Sequence, residues 1–521
     1  MAQDLIQRLI PEAPRALCQI LQAERGPAEA PIRSEVFGPL RFAQHGRSLG
    51  ETHRAASASV HAGTFFPRLQ DNIATLREAY AYIGGQAATG YDISPAAEWL
   101  LDNFHLIEAQ LEEVRDGLPR LYFRALPVLL DKPLAGLPRV YGVAWAFVAH
   151  TDGDFNDELL VQFLSAYQET RELTLGELWA LPTTLRVVLI ENLRRLAERV
   201  ATHKAAREAA NLVADQIERY TLIALAELLA ALDQRGVGRV FLAQLAQRVQ
   251  DRSSTASAKV SIWQREWLDQ ALPDLAAMLA QQSANQAADN LSVSNAVTSL
   301  RDIGDADWPD MICSCSTLMR LMLGSPLFEA EAATTRDSAL HAIEQLALRS
   351  GHSEVAVAQA VLEHMHTRAG TDPACGVAAY WLLGPGRPAL ASSLGLHEHW
   401  AAQARRLAHR LALPAYLSTL GLATLGLVTW LGLHAALVPG SQPTGGHTGL
   451  LVGALLMLWP ASEAVVALIN RLVSESVRPG HLPRLALAEG IPAAHRVMVV
   501  IPGMLTSSAS TTELVRRLHL H

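Results

Sequence analysis

The sequence predicts a mainly α-helical protein, in which a multi-helical region is followed by a hairpin of two transmembrane helices and then by one β–α unit. Three patterns support this fold class. Apolar residues recur every three or four positions through most of residues 31–405, which is the spacing of one helix face. Two long apolar runs follow at 411–438 and 449–473. A short β-branched run at 497–502 then precedes helix-forming residues that extend to His521.

The two apolar runs predict the transmembrane hairpin. The first run contains no Lys, Arg, Asp or Glu between Leu411 and Val438. Each run is at least as long as the ~20 residues that a helix needs to cross the hydrocarbon core of a bilayer. A polar, Gly-rich loop, residues 439–448, connects them. The alternative interpretation is a pair of helices buried in a soluble core.

Charges beside the hairpin predict its orientation. The connecting loop contains no Lys or Arg, whereas arginines flank both runs at their other ends. Since positively charged residues stay on the cytoplasmic side during insertion, we expect both chain ends to be cytoplasmic and the loop to lie outside. The flanking residues are Arg405, Arg406, Arg410, Arg471, Arg478 and Arg484.

One carboxylate, Glu463, interrupts the second apolar run. An ionisable side chain inside a membrane is costly and therefore indicates a function or a partner. The alternative is that the helix breaks at Pro460, which would leave Glu463 near the cytoplasmic interface.

Composition restricts the possible classes of protein. The chain has 521 residues, with 43 basic and 51 acidic side chains and a formal net charge of -8, which argues against a general nucleic-acid binder. Four cysteines are too few for a disulfide framework and fit a reducing compartment. Asp4 and Glu12 interrupt the start of the chain, where a signal peptide would need an apolar run. We therefore expect the helical region to be cytoplasmic. The cysteines are Cys18, Cys313, Cys315 and Cys375.

Helix boundaries are marked by capping residues. Ser94 followed by Pro95 predicts an N-cap with proline at the first helical position, opening one helix that runs to about Arg120. Thr174 and Glu177 have the spacing of a capping box. The apolar face of the helix after Ser94 comprises Leu100, Phe104, Ile107 and Leu111.

The stretch after the capping box predicts two helices, because Pro182 interrupts it. The second of these helices is amphipathic, with an apolar stripe and a solvated charged face. The stripe comprises Leu185, Val188, Leu189, Leu193, Leu196 and Val200, and the face comprises Arg186, Arg194, Arg195, Glu198 and Arg199.

Further helices are predicted at Tyr220–Leu232, after the Gly236–Gly238 turn, at Thr335–Arg349 and at Ser353–Thr367, where Ser353 is the cap. The polar stretch 281–290 predicts a loop or a frayed helix end.

The motif Asp152-Gly153-Asp154 resembles the acidic pair that holds a divalent metal and a nucleotide-sugar diphosphate in many glycosyltransferases. Such a pair needs a strand end in a nucleotide-binding sheet, but here it precedes a helix, so we predict a turn with a helix cap. A calcium loop is excluded, because Asp157 replaces the required glycine and Phe163 the final carboxylate.

Other candidate clusters have the wrong spacing for a site. Residues two apart point to opposite sides of a helix, so neither histidine pair nor the cysteine pair is predicted to bind a metal. Gly236-Val237-Gly238 lacks the third glycine of a dinucleotide fingerprint. His105 is predicted to be a hydrogen-bonded core histidine and not a catalyst. The pairs are His364 and His366, His397 and His399, and Cys313 and Cys315.

Several long blocks of the chain, in the same order, resemble the N-terminal region of bacterial cyclic β-1,2-glucan synthases. The likeness extends from about residue 30 over nearly the whole sequence. Its most specific blocks are PIRSEVFGPLRFAQHGRSL, PRVYGVAWAFVAHTD, WPASEAVVALINRLV and EGIPAAHRVMVVIPGMLTS.

The resemblance implies an inner-membrane protein that polymerises glucose from UDP-glucose into a β-1,2-linked chain with the help of a divalent metal. It implies a variable segment (1–30), a cytoplasmic helical region (31–405), the hairpin with a periplasmic loop, a linker (474–496), and a truncated α/β glycosyltransferase domain (497–521). None of the family's catalytic positions has a counterpart in this sequence. We therefore assign no catalytic, cofactor-binding or metal-ligating residue.

The expected function is accordingly membrane anchoring and scaffolding for a downstream glycosyltransferase region. The bilayer, that region and the growing glucan are the expected partners, and no nucleic acid is expected. A self-standing membrane-anchored scaffold or regulator without catalytic activity is the alternative. A small complete glycosyltransferase that uses Asp152 and Asp154 is a third hypothesis.

Overall fold

A computed structural model describes residues 3–56, 65–89, 93–117, 119–253, 262–272, 274–368, 373–396, 400–437, 446–476, 482–487, 490, 496 and 507–520. Within these residues the chain forms twenty-four α-helices and one small sheet, so the predicted mainly α-helical class is confirmed. In the sheet, β1 (Ala55–Ala56) pairs antiparallel with β2 (Val128–Leu129). The predicted strand at 497–502, His397, His399, and most of the predicted loop and linker lie outside the described residues.

The helices follow one another along the chain with short connections. The first ten are α1 (Gln3–Leu9), α2 (Arg15–Ile20), α3 (Pro39–Thr52), α4 (Phe65–Ala88), α5 (Pro95–Asp102), α6 (Phe104–Asp116), α7 (Arg120–Ala125), α8 (Arg139–Thr151), α9 (Asp157–Thr170) and α10 (Leu175–Asp215). The next eight are α11 (Leu222–Gln234), α12 (Gly238–Ser253), α13 (Ile262–Ala271), α14 (Leu275–Asp305), α15 (Trp308–Cys315), α16 (Thr317–Leu323), α17 (Pro326–Glu329) and α18 (Ala333–Ser350). The last six are α19 (Glu354–Arg368), α20 (Ala378–Leu382), α21 (Arg387–Ser393), α22 (Trp400–Leu437), α23 (Gly446–Ser476) and α24 (Ser508–Leu520).

The chain divides into two compact units, Met1–Leu321 and Met322–His521. In the first unit, α10 packs against α4, α8, α12 and α14. Its predicted capping box is present: the Thr174 hydroxyl accepts from the Glu177 N–H at 3.2 Å, and the Glu177 carboxylate accepts from the Thr174 N–H at 3.0 Å.

The predicted interruption at Pro182 is wrong, because α10 is one helix of 41 residues that contains this proline. Pro182 removes one backbone hydrogen bond. The neighbouring side chains of Leu178, Leu181 and Leu185 are buried, and tertiary packing of this kind supplies most of a helix's stability. The opposite difference occurs after Ser94, where α5 and α6 replace one predicted helix and break at Asn103. Ser94 nevertheless caps α5 as predicted.

The predicted solvated face of α10 is also wrong. The side chains of Arg194 and Arg195 are buried, with 8% and 9% exposed, because carboxylates on neighbouring turns and segments neutralise them. Glu191 is fully buried and accepts hydrogen bonds from Arg68 (2.9 Å), Arg195 (2.8 Å) and two uncharged groups. The uncharged donors are the Asn72 amide at 3.0 Å and the Tyr141 hydroxyl at 2.5 Å.

A second set of contacts ties the N-terminal segment to α10. Arg194 pairs with Glu29 and, at 3.1 Å, with Glu198. Glu198 also pairs at 2.8 Å with Arg235, of which 1% is exposed. The Ile32 N–H donates to the Asn192 side chain at 2.7 Å. The residues around 29–32 are therefore held directly on the central helix.

Close backbone approach fixes α3 against α9. A Cβ at Gly46 would lie 2.7 Å from the carbonyl oxygen of Phe163, a distance that real Cβ atoms do not adopt. Only glycine fits there, which gives a physical reason for Gly46 in the block PIRSEVFGPLRFAQHGRSL.

The polar stretch 281–290 is helical, as part of α14, and not a loop or a frayed end. Its Asp289 is buried and pairs with Arg33 at 3.1 Å and Arg199 at 3.2 Å. The stretch has the polarity of a loop because one face of α14 borders a polar cavity, described below.

The second unit confirms the predicted helices at 335–349 and 353–367 as α18 and α19, and the Ser353 hydroxyl caps α19 by accepting from the Ala356 N–H at 3.2 Å. A short segment, residues 482–487, pairs with the residues just before α18. The Ala332 N–H donates to the Arg484 carbonyl at 2.8 Å, and the Ala486 N–H donates to the Ala330 carbonyl at 2.9 Å.

Glu331 lies at this pairing and is 4% exposed. Within the described part of the chain neither of its carboxylate oxygens has a hydrogen-bond partner. Burial raises the pKa of Glu331, although Arg336 opposes the shift. A buried carboxylate without donors destabilises its surroundings when it is charged.

We predict that Glu191→Gln lowers the free energy of unfolding by about 3–5 kcal/mol, since it removes the fully buried negative charge that compensates Arg68 and Arg195. Thermal unfolding of the purified chain, followed by circular dichroism, measures this effect. The matched control is Glu108→Gln, which removes an exposed pair with Arg77 and should cost at most about 1 kcal/mol. Equal losses in the two variants would contradict a structural role for the buried network.

The same network predicts a pH dependence. Burial alone would raise the pKa of Glu191, but hydrogen bonds from Arg68, Tyr141 and Arg195 outweigh burial and lower it from 4.5 to about 2. The contribution of Glu191 is therefore present above pH 4.5 and is lost as the pH falls towards 2. Glu191→Gln should remove this part of the acid sensitivity.

For Glu331 the sign is opposite. Because its pKa is raised in the folded state, the pairing of 482–487 with 330–332 should weaken as the pH rises above the ordinary glutamate value. The rate of hydrogen exchange at the Ala332 and Ala486 amides should rise with pH more steeply than the intrinsic exchange rate does, and Glu331→Gln should remove this additional rise. Glu329→Gln, a change at an exposed neighbour, is the control and should leave the additional rise unchanged. If the wild-type chain shows no additional rise, the charged Glu331 carboxylate does not destabilise the pairing.

Candidate functional site

The hairpin helices α22 and α23 contain two segments that are long and apolar enough to cross a membrane, Arg410–His434 and Leu451–Ser476. In each, 11% of the apolar window is buried within the chain. Large apolar side chains therefore cover their outer surfaces, as with Leu422 and Trp459, which are 71% and 77% exposed. A soluble core helix would bury these side chains.

The two helices pack against each other through a narrow inner face. Small or medium side chains are buried there, and a hydrogen bond from the Tyr416 hydroxyl to the Asn470 side chain, 2.7 Å long, joins the ends away from the loop. The buried side chains are Thr424, Val428, Ala461 and Val465.

Pro460 does not break the second helix, because α23 continues from Gly446 to Ser476. The alternative interpretation of Glu463, which required that break, is therefore wrong. Proline is tolerated in transmembrane helices where local adjustments satisfy the freed carbonyl. Twelve residues of the candidate span precede Glu463 and thirteen follow it, so the exposed carboxylate lies near the middle of the span.

The Asp152-Gly153-Asp154 motif forms the predicted turn between α8 and α9. Asp152 ends α8 in a left-handed conformation, with φ 53°, and its carboxylate accepts from the Ser292 hydroxyl at 2.6 Å. The helix cap is Asn156, whose side chain accepts from the Leu159 N–H. Burial raises the pKa values of Asp152 and of Asp154. The motif joins α8 to α14 through the contact with Ser292.

The remaining candidates lie apart from one another. His364 stacks on Trp381 and contacts the Ser393 hydroxyl at 3.0 Å, whereas His366 is exposed. Cys315 is buried, and burial raises its pKa to about 12. Among the described residues, no three His, Cys, Asp or Glu side chains are grouped so that they could hold a metal ion.

The prediction for His105 is wrong, because its side chain is exposed. Its neighbours Phe104 and Ile107 are buried, and these two residues define the inner face of α6, leaving position 105 outside. Gly236 lies in the predicted turn, with φ +80°, and α12 begins at Gly238.

The first unit also contains a concave site that none of the sequence motifs indicated, a cavity of about 730 Å³. It lies between α10 and α14 and is bordered by the end of α4 and the starts of α5 and α12. The signal in the sequence was the amide-rich face of α14, with polar residues one helical turn apart. These are Gln281, Gln282, Asn285, Gln286, Asp289 and Asn290.

The wall formed by α10 is basic. Arg199, His203 and Arg207 follow one another at four-residue intervals and line the cavity, next to Lys204 and Glu208. Burial, reinforced by the positive charges of Arg199 and Arg207, lowers the pKa of His203 to about 4. His203 is therefore neutral at pH 7, and the arginines and Lys204 supply the positive charge.

Comparison with known proteins gives the lineage of the chain. No family model matches it. The chain is 32% identical over 510 residues to the cyclic β-(1,2)-glucan synthase NdvB of Rhizobium meliloti, and the match covers 94% of this chain. The chain spans only 17% of the length of that relative. The predicted resemblance is thus confirmed at the level of the family: over nearly its whole length the chain is similar to one part of a cyclic β-1,2-glucan synthase.

Proposed function

We propose that this chain is the N-terminal membrane-anchoring and scaffolding part of a cyclic β-1,2-glucan synthase. The observation that carries the proposal is the hairpin α22–α23, whose apolar outer surface is matched to lipid, in a chain related to a glucan synthase over 94% of its length. In this proposal the whole protein transfers glucose from UDP-glucose to a growing β-1,2-glucan. The donor and a divalent metal would bind to its glycosyltransferase region.

The proposed location is the bacterial inner membrane, crossed twice, with both chain ends in the cytoplasm. Arg410 begins the first candidate span, and Arg471 lies in the last turns of the second, at the ends opposite to the loop. The loop contains no Lys or Arg. This asymmetry supports a periplasmic loop.

The scaffolding role rests on the path of the chain after the second span. Residues 482–487 return to the residues before α18 and form backbone hydrogen bonds with Ala330 and Ala332. Two further contacts, between Arg484 and Thr335, reinforce the pairing at 3.1 Å and 3.4 Å. The chain that leaves the membrane is thereby directed by the helical part of the second unit. We propose that the downstream glycosyltransferase region is positioned in this way and that the helical region contacts the growing glucan.

We predict that the two ends of α23 are labelled from opposite sides of the membrane. In a variant without the native cysteines, Gly446→Cys should react with a membrane-impermeant maleimide in intact spheroplasts. Ser476→Cys should react in inverted vesicles only. Labelling of both positions from the same side would overturn the two-pass arrangement.

We also predict that this chain can replace the matching region of NdvB. A chimaera in a strain without NdvB should restore incorporation of labelled glucose from UDP-glucose into β-1,2-glucan in membranes. Ala486→Pro in the chimaera should reduce synthesis several-fold at unchanged membrane insertion, because proline removes the N–H that donates to Ala330.

The control for that experiment is Leu482→Pro, since Leu482 is 84% exposed and lies in the same segment. The control should leave synthesis unchanged. Full synthesis by the Ala486→Pro chimaera would contradict the positioning role, and an inserted but inactive chimaera would contradict the assignment of this chain as the equivalent region.

A further inference from the structure

The cavity between α10 and α14 is lined by more basic than acidic side chains, and the excess positive charge is not used in ion pairs that hold the fold together. Its two acidic residues are already used. Asp289 pairs with Arg33 and Arg199, at 3.1 Å and 3.2 Å, and Glu208 lies 3.5 Å from Lys204. Glu208 also accepts from the Tyr82 hydroxyl at 2.9 Å. These carboxylates therefore neutralise the basic residues beside them.

Two cations of the cavity remain without a carboxylate. Within the described parts of the chain, no Asp or Glu oxygen lies within 4.0 Å of Arg207 or Arg239. Arg207 donates to the Gln286 side-chain oxygen over a long distance, 3.5 Å. Burial lowers the pKa of Arg207, which means that the protein destabilises this charge. An uncompensated, half-buried guanidinium beside a cavity is suited to an oxyanion, which a guanidinium can bind with two parallel hydrogen bonds.

The opposite wall offers neutral donors and acceptors. The amides of Gln281 and Asn285 are hydrogen-bonded to each other at 3.1 Å, and the Asn290 oxygen accepts from the Ala96 N–H at 2.9 Å. The amides of Gln282 and Gln286 line the same wall. Side chains that donate and accept at once match hydroxyl groups, and the cavity volume lies within the range of small-molecule sites.

We propose that this cavity binds a phosphorylated sugar, with Arg207 and Arg239 on the phosphate and the amides of α14 on the sugar hydroxyls. The inference is independent of the proposed anchoring role, because the cavity is built from residues of the first unit alone. No covalent step is involved. The site is a binding site for a small hydroxyl-rich anion.

The test is calorimetric titration of the detergent-purified full chain with glucose 6-phosphate, and separately with its two component parts, glucose and inorganic phosphate. Glucose 6-phosphate should bind saturably and at least about tenfold more tightly than either component, since both walls contribute. Added salt should weaken binding of the ester, because its phosphate contacts are ionic. UDP-glucose is a fourth probe, which measures whether a nucleotide diphosphate is preferred to the monophosphate.

Arg207→Gln should weaken binding of glucose 6-phosphate at least about tenfold, because it removes a charge-assisted contact. It should not lower the unfolding temperature, since it removes a half-buried cation without an acidic partner. The matched control is Arg301→Gln, on α14 but outside the cavity, which changes the net charge equally and should leave binding unchanged. Arg239→Gln repeats the test at an exposed residue, where the substitution should not affect folding.

Four results would overturn the proposal. The first is that glucose 6-phosphate does not bind saturably, and the second is that inorganic phosphate binds with the same affinity. The third is that UDP-glucose binds more tightly and still does so in Arg207→Gln and Arg239→Gln. The fourth is that Arg207→Gln and Arg301→Gln lose the same affinity for glucose 6-phosphate. Equal affinity for phosphate would show that the amide wall does not recognise the sugar. Equal losses would show that net charge alone, and no built site, attracts the anion.

Discussion

Burial of charge along α10 is the constraint on which the first unit depends. A helix that contacts neighbours on several sides cannot keep its arginines in water, so each buried guanidinium needs an acceptor nearby. Glu191 meets this need for Arg68 and Arg195, and Asn72 and Tyr141 complete its hydrogen bonds. Because these donors come from α4, α8 and α10, the network fixes the relative positions of three helices. Such a network gives orientation more than net stability, since desolvation offsets much of the attraction.

The same constraint explains how the N-terminal segment is held. Residues 29–32 have no helix of their own, and they are fixed by Arg194 and Asn192 of α10. Arg235, at the end of α11, donates to the carbonyl of Ile20 at 3.1 Å and to that of Gly26. Buried polar side chains thus replace the backbone ladder that a regular element would provide. The segment is ordered because its partners are buried and have no water to bind instead.

The sequence predicts what local rules decide: the helical class, the caps at Ser94, Thr174 and Ser353, and the apolar hairpin. It fails where tertiary contacts override those rules. Pro182 and Pro460 lie inside continuous helices because neighbouring packing compensates one lost hydrogen bond. Arg194 and Arg195 follow a solvated pattern, yet they are buried, because their carboxylate partners are not recognisable from helix periodicity. The cavity was missed because its polar wall, residues 281–290, has the composition of a loop, and its basic wall lies far away in sequence.

Comparison of two parts of α10 separates charges that build the fold from charges that are available to a ligand. Arg195 and Arg207 lie on the same helix, about 18 Å apart along its axis at 1.5 Å per residue. Arg195 donates to a fully buried carboxylate at 2.8 Å, so its charge is satisfied within the chain. Arg207 is also desolvated, but its hydrogen bond within the described ranges is a long one, 3.5 Å, to an amide oxygen. A fold gains nothing from an uncompensated cation, and residues that cost stability are typical of binding sites. The first arginine therefore belongs to the scaffold, and the second to a site that an anion completes.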